Sequence, residues 1–176
     1  MSTISGYYIA IVDGLLSVEE CCYFIAHLNK IEQLKRVESD ISEYERNIMV
    51  SPEWAERLYA RVRPHLPSKY HQDTHCNTTF RFSKYSEGQQ FKTHRDGVNQ
   101  DAKGYRTRFT VIFFLNDTFM QGETEFFDDE GNLKLTAIPA PGRGAIFDRE
   151  IQHRGNVVYG GYKYLLRTDV MVSDGI

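Results

Sequence analysis

The first part of the chain alternates between short β-like and helix-like patterns of apolar residues. Tyr7 to Val12 is a β-rich run stopped by Asp13-Gly14, which predicts a strand and a turn. Ser17, with Glu20 three residues later, forms a capping box and predicts the start of a helix. Helical spacing then predicts its buried stripe: Val18, Cys21, Ile25 and Leu28.

A second helix is predicted after a polar stretch. Residues 38–45 are mostly polar and predict a loop. Ser51-Pro52 places a capping residue before a proline in the first turn, which is typical of a helix start. One face of this helix carries Trp54, Leu58 and Val62, and Pro64 and Pro67 are expected to end it.

From Cys76 onward the pattern changes to a period of two interrupted by turns, which predicts seven or eight short strands. Phe80 and Phe82 alternate with more polar neighbours, and RFTVIFFLN (108–116) is a strong strand. Further strands are predicted at 123–127 and 133–138, which flank a hairpin turn, and at 144–148 and 162–172. The fold class is therefore mainly β (α+β), a barrel or sandwich with the helices on one outer face.

Length, charge and cysteine content narrow the possibilities further. The 176 residues predict a single domain, 1–176, with 1–75 as a strand with supporting helices and 76–176 as the β core. A net charge of -3 gives no electrostatic footprint for nucleic acid. No apolar run approaches a membrane span, and the start lacks a signal-peptide pattern. Three cysteines, two of them adjacent, argue against disulfides, so we expect a cytoplasmic protein; oligomeric state is not predicted.

The most informative stretch is YSEGQQFKTHRDG (85–97). In an extended segment His94 and Asp96 point the same way, because successive side chains alternate between faces. An imidazole and a carboxylate, joined by a second histidine, can hold iron(II) and leave three positions open. His153 is the candidate, since it lies 57 positions further on than Asp96 (96 to 153), far enough for strands to intervene.

The last strand carries an unusual pair of cations. Its alternation puts Tyr164, Leu166 and Val170 on one face, which we expect to pack under the helices. Lys163, Leu165, Arg167 and Asp169 share the other face. Two readings remain open: this face is solvated, or it lines a pocket in which an anionic ligand meets the cations.

These residues together resemble a known family. The order Tyr85, His94-x-Asp96, Phe114-Leu115-Asn116, Gly122-Glu123-Thr124, His153 and Lys163 is similar to the iron(II)- and 2-oxoglutarate-dependent oxygenases of the prolyl 4-hydroxylase-like group. The resemblance runs from about Arg81 to the C-terminus. It implies a double-stranded β-helix (jelly roll) with N-terminal helices packed on one sheet and a metal inside one mouth.

The resemblance also implies roles for individual residues. His94, Asp96 and His153 match the iron ligands, and Tyr85 matches a tyrosine that hydrogen-bonds 2-oxoglutarate. Lys163 matches the residue that pairs with the far carboxylate of 2-oxoglutarate, with Arg167 as the alternative partner. Thr124 is expected at a structural strand position near the site.

Two positions depart from the family pattern. Gln121 replaces a glycine, which we expect to be harmless, and Phe114 replaces a tyrosine that can touch the cosubstrate. The missing hydroxyl leaves room for another donor, for which Arg167 is the candidate. Related halogenases lack the carboxylate ligand, so the presence of Asp96 favours hydroxylation.

The implied activity is hydroxylation of a C–H bond, of a prolyl or other amino-acid or protein side chain, with release of succinate and CO2. Iron(II), 2-oxoglutarate and O2 are the implied cofactors, with ascorbate as a candidate reductant. The implied partner is a small-molecule, amino-acid, peptide or protein substrate, and neither nucleic acid nor membrane. Candidate substrate contacts are Arg81, Arg106 and Arg108, and the candidate substrate loops are 38–49 and 97–105.

Three alternatives compete with this interpretation. His71 and His75 could form a separate metal pair, but only on a helix, and Pro67 and the β-rich 76–82 stretch lie too close. A jelly-roll binding module would need neither the triad nor an anion-pairing strand. A cupin-type metalloenzyme that does not use 2-oxoglutarate usually takes more histidines, from clustered positions.

Overall fold

A computed structural model describes residues 2–30 and 34–173, and within these residues it contains two α-helices and fifteen strands. The helices are α1 (Val18–Asn29) and α2 (Pro52–Val62), and α2 is followed by two 3-10 turns, Arg63–His65 and Ser68–Tyr70. The strands before residue 90 are β1 (Ser2–Ile4), β2 (Tyr7–Val12), β3 (Lys35–Glu38), β4 (Glu43–Val50), β5 (Thr74–Cys76) and β6 (Thr79–Tyr85). The later strands are β7 (Phe91–His94), β8 (Arg106–Phe114), β9 (Met120–Gln121), β10 (Thr124–Phe127), β11 (Leu133–Ala137), β12 (Gly144–Asp148), β13 (Gln152–Gly155), β14 (Val158–Tyr159) and β15 (Lys163–Val172).

The described strands form two main antiparallel sheets and one short strand pair. The larger sheet has the order β1-β2-β12-β8-β15-β6-β4-β3, and β5 also pairs with β15. The smaller sheet has the order β11-β10-β13-β7, and β14 pairs with β9. Consecutive strands therefore often lie in different sheets, which confirms the predicted jelly roll.

The helices cover the outer face of the larger sheet, as predicted. Ser17 caps α1: its hydroxyl accepts a hydrogen bond from the Glu20 amide at 3.1 Å, and the Glu20 carboxylate accepts one from the Ser17 amide at 2.9 Å. The predicted buried stripe of α1 is confirmed at Cys21 and Leu28, which are buried, and at Ile25, which packs against the same core. It is wrong at Val18, which is exposed, and it omits Phe24, which is fully buried in contact with Trp54 and Phe82.

A second core fills the space between the two sheets. Phe126 of the smaller sheet packs edge-on against Phe147 of the larger sheet, with ring centroids 4.9 Å apart. Phe114 and Leu165 are buried in the same cluster. Tyr164, Leu166 and Val170 belong to the core under the helices, so the predicted division of β15 into two faces is confirmed.

The prediction of a loop at 38–45, and of a mobile substrate loop at 38–49, is wrong. These residues form the hairpin of β3 and β4, and only a short turn connects the two strands. The polar composition is explained by the outer face of the hairpin. Glu43 pairs with Arg36 at 2.6 Å and Glu45 with Lys84 at 3.1 Å, so the acidic residues are neutralised across strands.

The remaining expectations about the chain concern cysteines and membranes. Cys21 and Cys76 are buried, Cys22 is exposed, and all three are free thiols. None of the helices in the described ranges combines the length and apolar character that crossing a bilayer would need.

Gly142 lies where a side chain would collide with the segment that leads into α1. Its φ is +81°, and an added Cβ would lie 2.1 Å from the carbonyl oxygen of Leu16. Gly131 has a similar φ of +83°, but an added Cβ there meets nothing within 4 Å.

We predict that Gly142→Ala lowers the free energy of unfolding by more than about 3 kcal/mol, since steric displacement adds to the strain of the left-handed backbone. Gly131→Ala should lower it by only about 1–2 kcal/mol, because only the backbone strain applies. Urea denaturation of the two variants measures this difference. Equal losses would show that the Leu16 contact does not constrain the fold.

Candidate metal centre and cosubstrate pocket

Three potential metal ligands converge at one mouth of the space between the sheets. His94 ends β7, Asp96 follows two residues later, and His153 lies in β13 directly opposite His94 in the strand register. The Nε2 atoms of His94 and His153 lie 3.7 and 3.8 Å from the two Asp96 carboxylate oxygens. Among the described residues this is the one group of three such side chains whose ligand atoms all lie within 4.8 Å of one another.

Both imidazoles are held in the same way by the backbone. The Nδ1 of His94 lies 2.8 Å from the carbonyl oxygen of Lys92, and the Nδ1 of His153 lies 2.9 Å from that of Ile151. A nitrogen that donates to a carbonyl carries a proton, so in the neutral form of each ring Nδ1 holds that proton and Nε2 offers a lone pair that faces Asp96. Burial lowers the pKa of His153 to about 4, although the charge of Asp96 acts in the opposite direction. This imidazole is therefore neutral near neutral pH.

Asp96 is a buried carboxylate with several partners. Thr110 donates its hydroxyl to one oxygen at 2.6 Å, and Arg167 lies 2.8 Å from the other. Burial by itself raises the pKa of Asp96, but the interactions with His94 and the Arg167 charge outweigh it and hold the pKa well below its ordinary value. The carboxylate is therefore ionised.

The donor set suits iron(II). Two imidazoles and one carboxylate on one side of a metal leave the other side open, which is the arrangement that non-haem iron oxygenases use. The carbonyl and guanidinium partners behind the ligands fix their orientation, as the outer contacts of metal sites generally do.

A cavity opens beside the triad on the inner face of the larger sheet. Its walls come from both sheets and carry aromatic, basic and small side chains: Tyr44, Arg81, Ser83, Tyr85, Phe91, His94, Ile112, Thr124, His153, Gly155, Lys163, Leu165 and Arg167. Phe91 stacks on His94 with ring centroids 3.8 Å apart. The cavity is thus continuous with the triad.

Lys163 reaches into this cavity with its ammonium group. It is only 2% exposed, its Nζ lies 5.4 Å from the ring centroid of Tyr85, and it forms no ion pair with any residue in 2–30 or 34–173. Burial lowers the pKa of Lys163 to about 7, while the carboxylate of Glu123 acts to raise it. Such a cation gains strongly from an anionic ligand.

Arg167 is engaged differently. Besides Asp96, its guanidinium lies 3.3 Å from Asp169, which is completely buried. Asp169 also contacts Arg81 at 3.3 Å and accepts a hydrogen bond from the side-chain Nδ2 of Asn99 at 3.0 Å. Arg167 therefore connects one ligand of the triad to a buried polar network rather than pointing freely into the cavity.

The other candidate residues are distributed as follows. Thr124 lines the cavity on β10, and Arg81 lines it on β6, whereas Arg108 lines a separate cavity of about 440 Å³, where it pairs with Asp148. Arg106 is exposed at the start of β8. Strand parity placed Asp169 on the cavity face in the sequence analysis but gave it no role, and Thr110 and Tyr44 were missed. Strand parity could have found Thr110, whereas Tyr44 was assigned to a predicted loop.

The departures from the family pattern have visible consequences. Gln121 has φ +60°, in the left-handed region, so the residue is not harmless as expected but costs about 1–2 kcal/mol relative to glycine. Phe114 is fully buried, with its ring centroid 5.9 Å from the Lys163 ammonium. The space near its missing hydroxyl is bordered by Lys163.

His71 and His75 form no metal pair. The Nε2 of His71 contacts the carbonyl oxygen of Leu66 at 2.9 Å, and the Nε2 of His75 lies 3.0 Å from Asp101. Both rings already have partners on different elements.

Comparison with known proteins agrees with the geometry. The 20% identical viral collagen prolyl hydroxylase vCPH of Paramecium Bursaria Chlorella virus-1 superposes with a TM-score of 0.67 over 97% of this chain and 99% of that chain. A prolyl-4-hydroxylase of Pseudomonas putida is 16% identical, with a TM-score of 0.68 over 96% and 94% of the two chains. A Trichoplax adhaerens prolyl hydroxylase in complex with a hypoxia inducible factor peptide is 15% identical, with a TM-score of 0.67 over 93% and 83%.

These structures share the fold. In sequence, no curated protein matches this chain significantly. The family model of the 2OG-Fe(II) oxygenase superfamily matches residues 80–168, half of the chain, and this segment contains the triad and Lys163. The chain belongs to the 2OG-Fe(II) oxygenase superfamily, and it is a 2-oxoglutarate-dependent dioxygenase that uses Fe(II) and O2.

Proposed function

We propose that His94, Asp96 and His153 hold the iron, and that Lys163 pairs with the far carboxylate of 2-oxoglutarate. The observation that carries this assignment is the buried Lys163 ammonium, which lacks an ionic partner among the described residues and borders the cavity beside the triad. Tyr85 lies against it and supplies a phenol close to the same carboxylate. Binding of 2-oxoglutarate would give this buried cation a counter-charge in place of the hydration that burial removes.

Arg167 is proposed as a positioning residue rather than a 2-oxoglutarate contact. Its guanidinium is already shared between Asp96 and Asp169 at 2.8 and 3.3 Å. Moving it to the cosubstrate would leave two buried carboxylates without this partner, at a cost of several kcal/mol. Its role is to orient the carboxylate ligand.

The reaction proposed for this site is hydroxylation of a substrate C–H bond coupled to conversion of 2-oxoglutarate to succinate and CO2. Bound iron supplies the oxygen chemistry. The chain's own residues orient the three ligands, hold the cosubstrate by its far carboxylate, and line the reacting space with Ile112, Leu165 and Phe91, which limit the access of water.

The substrate is proposed to be an amino-acid or peptide side chain, with a prolyl residue as the first candidate. Three of the solved structures with this fold are prolyl hydroxylases by name, and one of them is in complex with a peptide. Membership of the superfamily removes the binding-module and cupin alternatives. Ascorbate as a reductant and a cytoplasmic location remain predictions from the sequence.

Anaerobic titration of the metal-free protein with iron(II) and 2-oxoglutarate tests the assignment. We expect a visible metal-to-ligand charge-transfer band in the wild type and none in His94→Ala. Lys163→Met should weaken 2-oxoglutarate binding by roughly 10- to 100-fold, the effect of losing a charged hydrogen-bond partner. Lys84→Met is the matched control, because Lys84 lies on the adjacent strand, faces outward and pairs with Glu45.

The outcome separates the two parts of the proposal. No band in the wild type would overturn the site. If the band forms and Lys163→Met binds 2-oxoglutarate with wild-type affinity, the proposed metal ligands stand and the proposed role of Lys163 is overturned.

Replacement of Arg167 should affect metal binding more than cosubstrate binding. We predict that Arg167→Met weakens iron(II) binding by roughly 10- to 100-fold, because the ligand Asp96 loses its orienting partner. Affinity for 2-oxoglutarate at saturating iron should change by less than about threefold, within the error of assigning an energy to one contact. Arg154→Met is the control, since Arg154 adjoins His153 but pairs outward with Glu125. Loss of 2-oxoglutarate affinity alone would reverse the proposed roles of Lys163 and Arg167.

Binding of 2-oxoglutarate should depend on pH through Lys163. The free ammonium has its pKa lowered to about 7, and an ion pair with the cosubstrate raises that pKa. Above about pH 7 binding must therefore take up a proton, so the dissociation constant should rise by about tenfold per pH unit. Titrations of the iron-loaded protein at several pH values measure the slope. Lys163→Met should remove this dependence, and a wild-type affinity that is constant from about pH 6 to 9 would contradict it.

A further inference from the structure

Four basic residues occupy the cavity face of four adjacent strands. We call Lys35, Arg46, Arg81 and Arg167 the basic strip. The register places Lys35 opposite Arg46 on β3 and β4, and Arg81 opposite Arg167 on β6 and β15. Arg46 is paired in register with Ser83, which lines the cavity, and the neighbouring inward residue Tyr44 lines it too. The strip therefore leads from the edge of the larger sheet to the metal ligands.

The acidic residues of the β3–β4 hairpin point to the opposite face. Glu43 and Glu45 alternate with Tyr44 and Arg46, and each has a basic partner on the outer face. On its cavity face the β3–β4 hairpin carries only cations and apolar or aromatic side chains: Lys35, Val37, Tyr44, Arg46, Ile48 and Val50. The charge is thus sorted between the two faces of the hairpin.

The basic strip has fewer counter-charges than cations. Asp169 is shared by Arg81 and Arg167, and Asp96 contacts Arg167. Arg46 and Lys35 form no ion pair with any residue within 2–30 and 34–173. Four cations thus meet two carboxylates, one of which is also a proposed metal ligand. A half-buried surface with such an excess attracts and orients anions.

We propose that the substrate carries a carboxylate and that Arg46 and Arg81 bind it. This inference rests on the proposed function, in which Lys163 binds the far carboxylate of 2-oxoglutarate and leaves the basic strip for the substrate. Guanidinium groups suit a carboxylate because they offer parallel N–H donors. Arg81 contacts Asp169 through one nitrogen, which leaves other donors of its guanidinium for a ligand.

Strand spacing limits where this carboxylate lies in the substrate. Arg46 is two strands from β15 and in register with Leu165, which lies two residues before Arg167. At about 4.8 Å per strand and about 3.3 Å per residue, Arg46 lies about 12 Å from Arg167. A peptide residue spans about 3.3–3.6 Å, so the anion lies within about four residues of the oxidised carbon. Two sources fit: the α-carboxylate of a free amino acid, and an aspartate or glutamate that flanks the oxidised residue in a peptide.

A binding experiment with matched probes tests the proposal without turnover. Zinc-loaded protein with 2-oxoglutarate is mixed with each of the twenty free amino acids or its carboxamide, and binding is followed by saturation-transfer NMR. A second set contains blocked pentapeptides that carry each residue at the centre, flanked by Glu or by Gln. Each pair differs only in the carboxylate. Succinate release by the iron-loaded protein provides the second readout.

We expect at least one carboxylate probe to bind roughly 10- to 100-fold more tightly than its uncharged counterpart, and added salt to weaken that binding. Whether this probe is a free amino acid or a peptide identifies the source of the anion. Arg46→Gln and Arg81→Gln should each weaken binding of the preferred probe by about tenfold or more. Arg36→Gln should change it by less than about twofold, because Arg36 makes the outward pair with Glu43 on the same hairpin.

Arg81→Gln removes a partner of the buried Asp169, so this variant alone could act by disturbing the fold. Arg46→Gln does not have this drawback, because Arg46 forms no ion pair with any described residue. The proposal is overturned if the charged and uncharged probes bind alike, if no carboxylate probe binds, or if Arg36→Gln weakens binding as much as Arg46→Gln. In each case a charge-transfer band that still forms with iron(II) and 2-oxoglutarate shows that the proposed function stands while this inference fails. Absence of that band overturns both.

Discussion

Pairing of buried charges is the constraint on which the site depends. Asp96 and Asp169 lie between the two sheets, where an unpaired carboxylate would cost several kcal/mol. Arg167 contacts both, and Arg81 and Asn99 complete the partners of Asp169. The inner face of the larger sheet can therefore hold the ionised carboxylate of Asp96, a proposed metal ligand, in a water-poor space. Lys163 is the exception in this region, and its lowered pKa expresses the same constraint from the cation's side.

The need to pair these buried charges follows from the way the fold separates its two hydrophobic cores. The core under the helices and the core between the sheets meet across β15, which is buried on both faces. Tyr164 and Leu166 anchor one face, so Lys163 and Arg167 cannot turn away from the cavity without rotating the strand. The same strand thus contributes to stability on one face and to chemistry on the other, which restricts both sets of residues.

Much of the site could be predicted because it depends on local pattern. Alternation on β15 predicted which residues share a face with Lys163, and the spacing of His94 and Asp96 predicted a shared direction. What the sequence could not provide were the pairings between distant strands. The role of Arg167 depends on Asp96, 71 positions earlier (96 to 167), and β3–β4 was missed because paired acidic residues on its outer face look like a polar loop. The prediction that Val18 is buried was wrong for a similar reason, since the orientation of α1 is set by contacts of Phe24 with Trp54 and Phe82.

The buried network also joins the two halves of the cavity. Arg81 and Arg167 both belong to the basic strip, Arg167 adjoins the proposed metal ligands, and Asp169 contacts both arginines at 3.3 Å. An anion that drew Arg81 toward itself would leave Asp169 more dependent on Arg167. Because Arg167 also contacts Asp96, the position of this proposed metal ligand and the binding of an anion at the basic strip would involve the same few hydrogen bonds. Short polar networks in a medium of low dielectric are strong, so these contacts are coupled more tightly than exposed ion pairs would be.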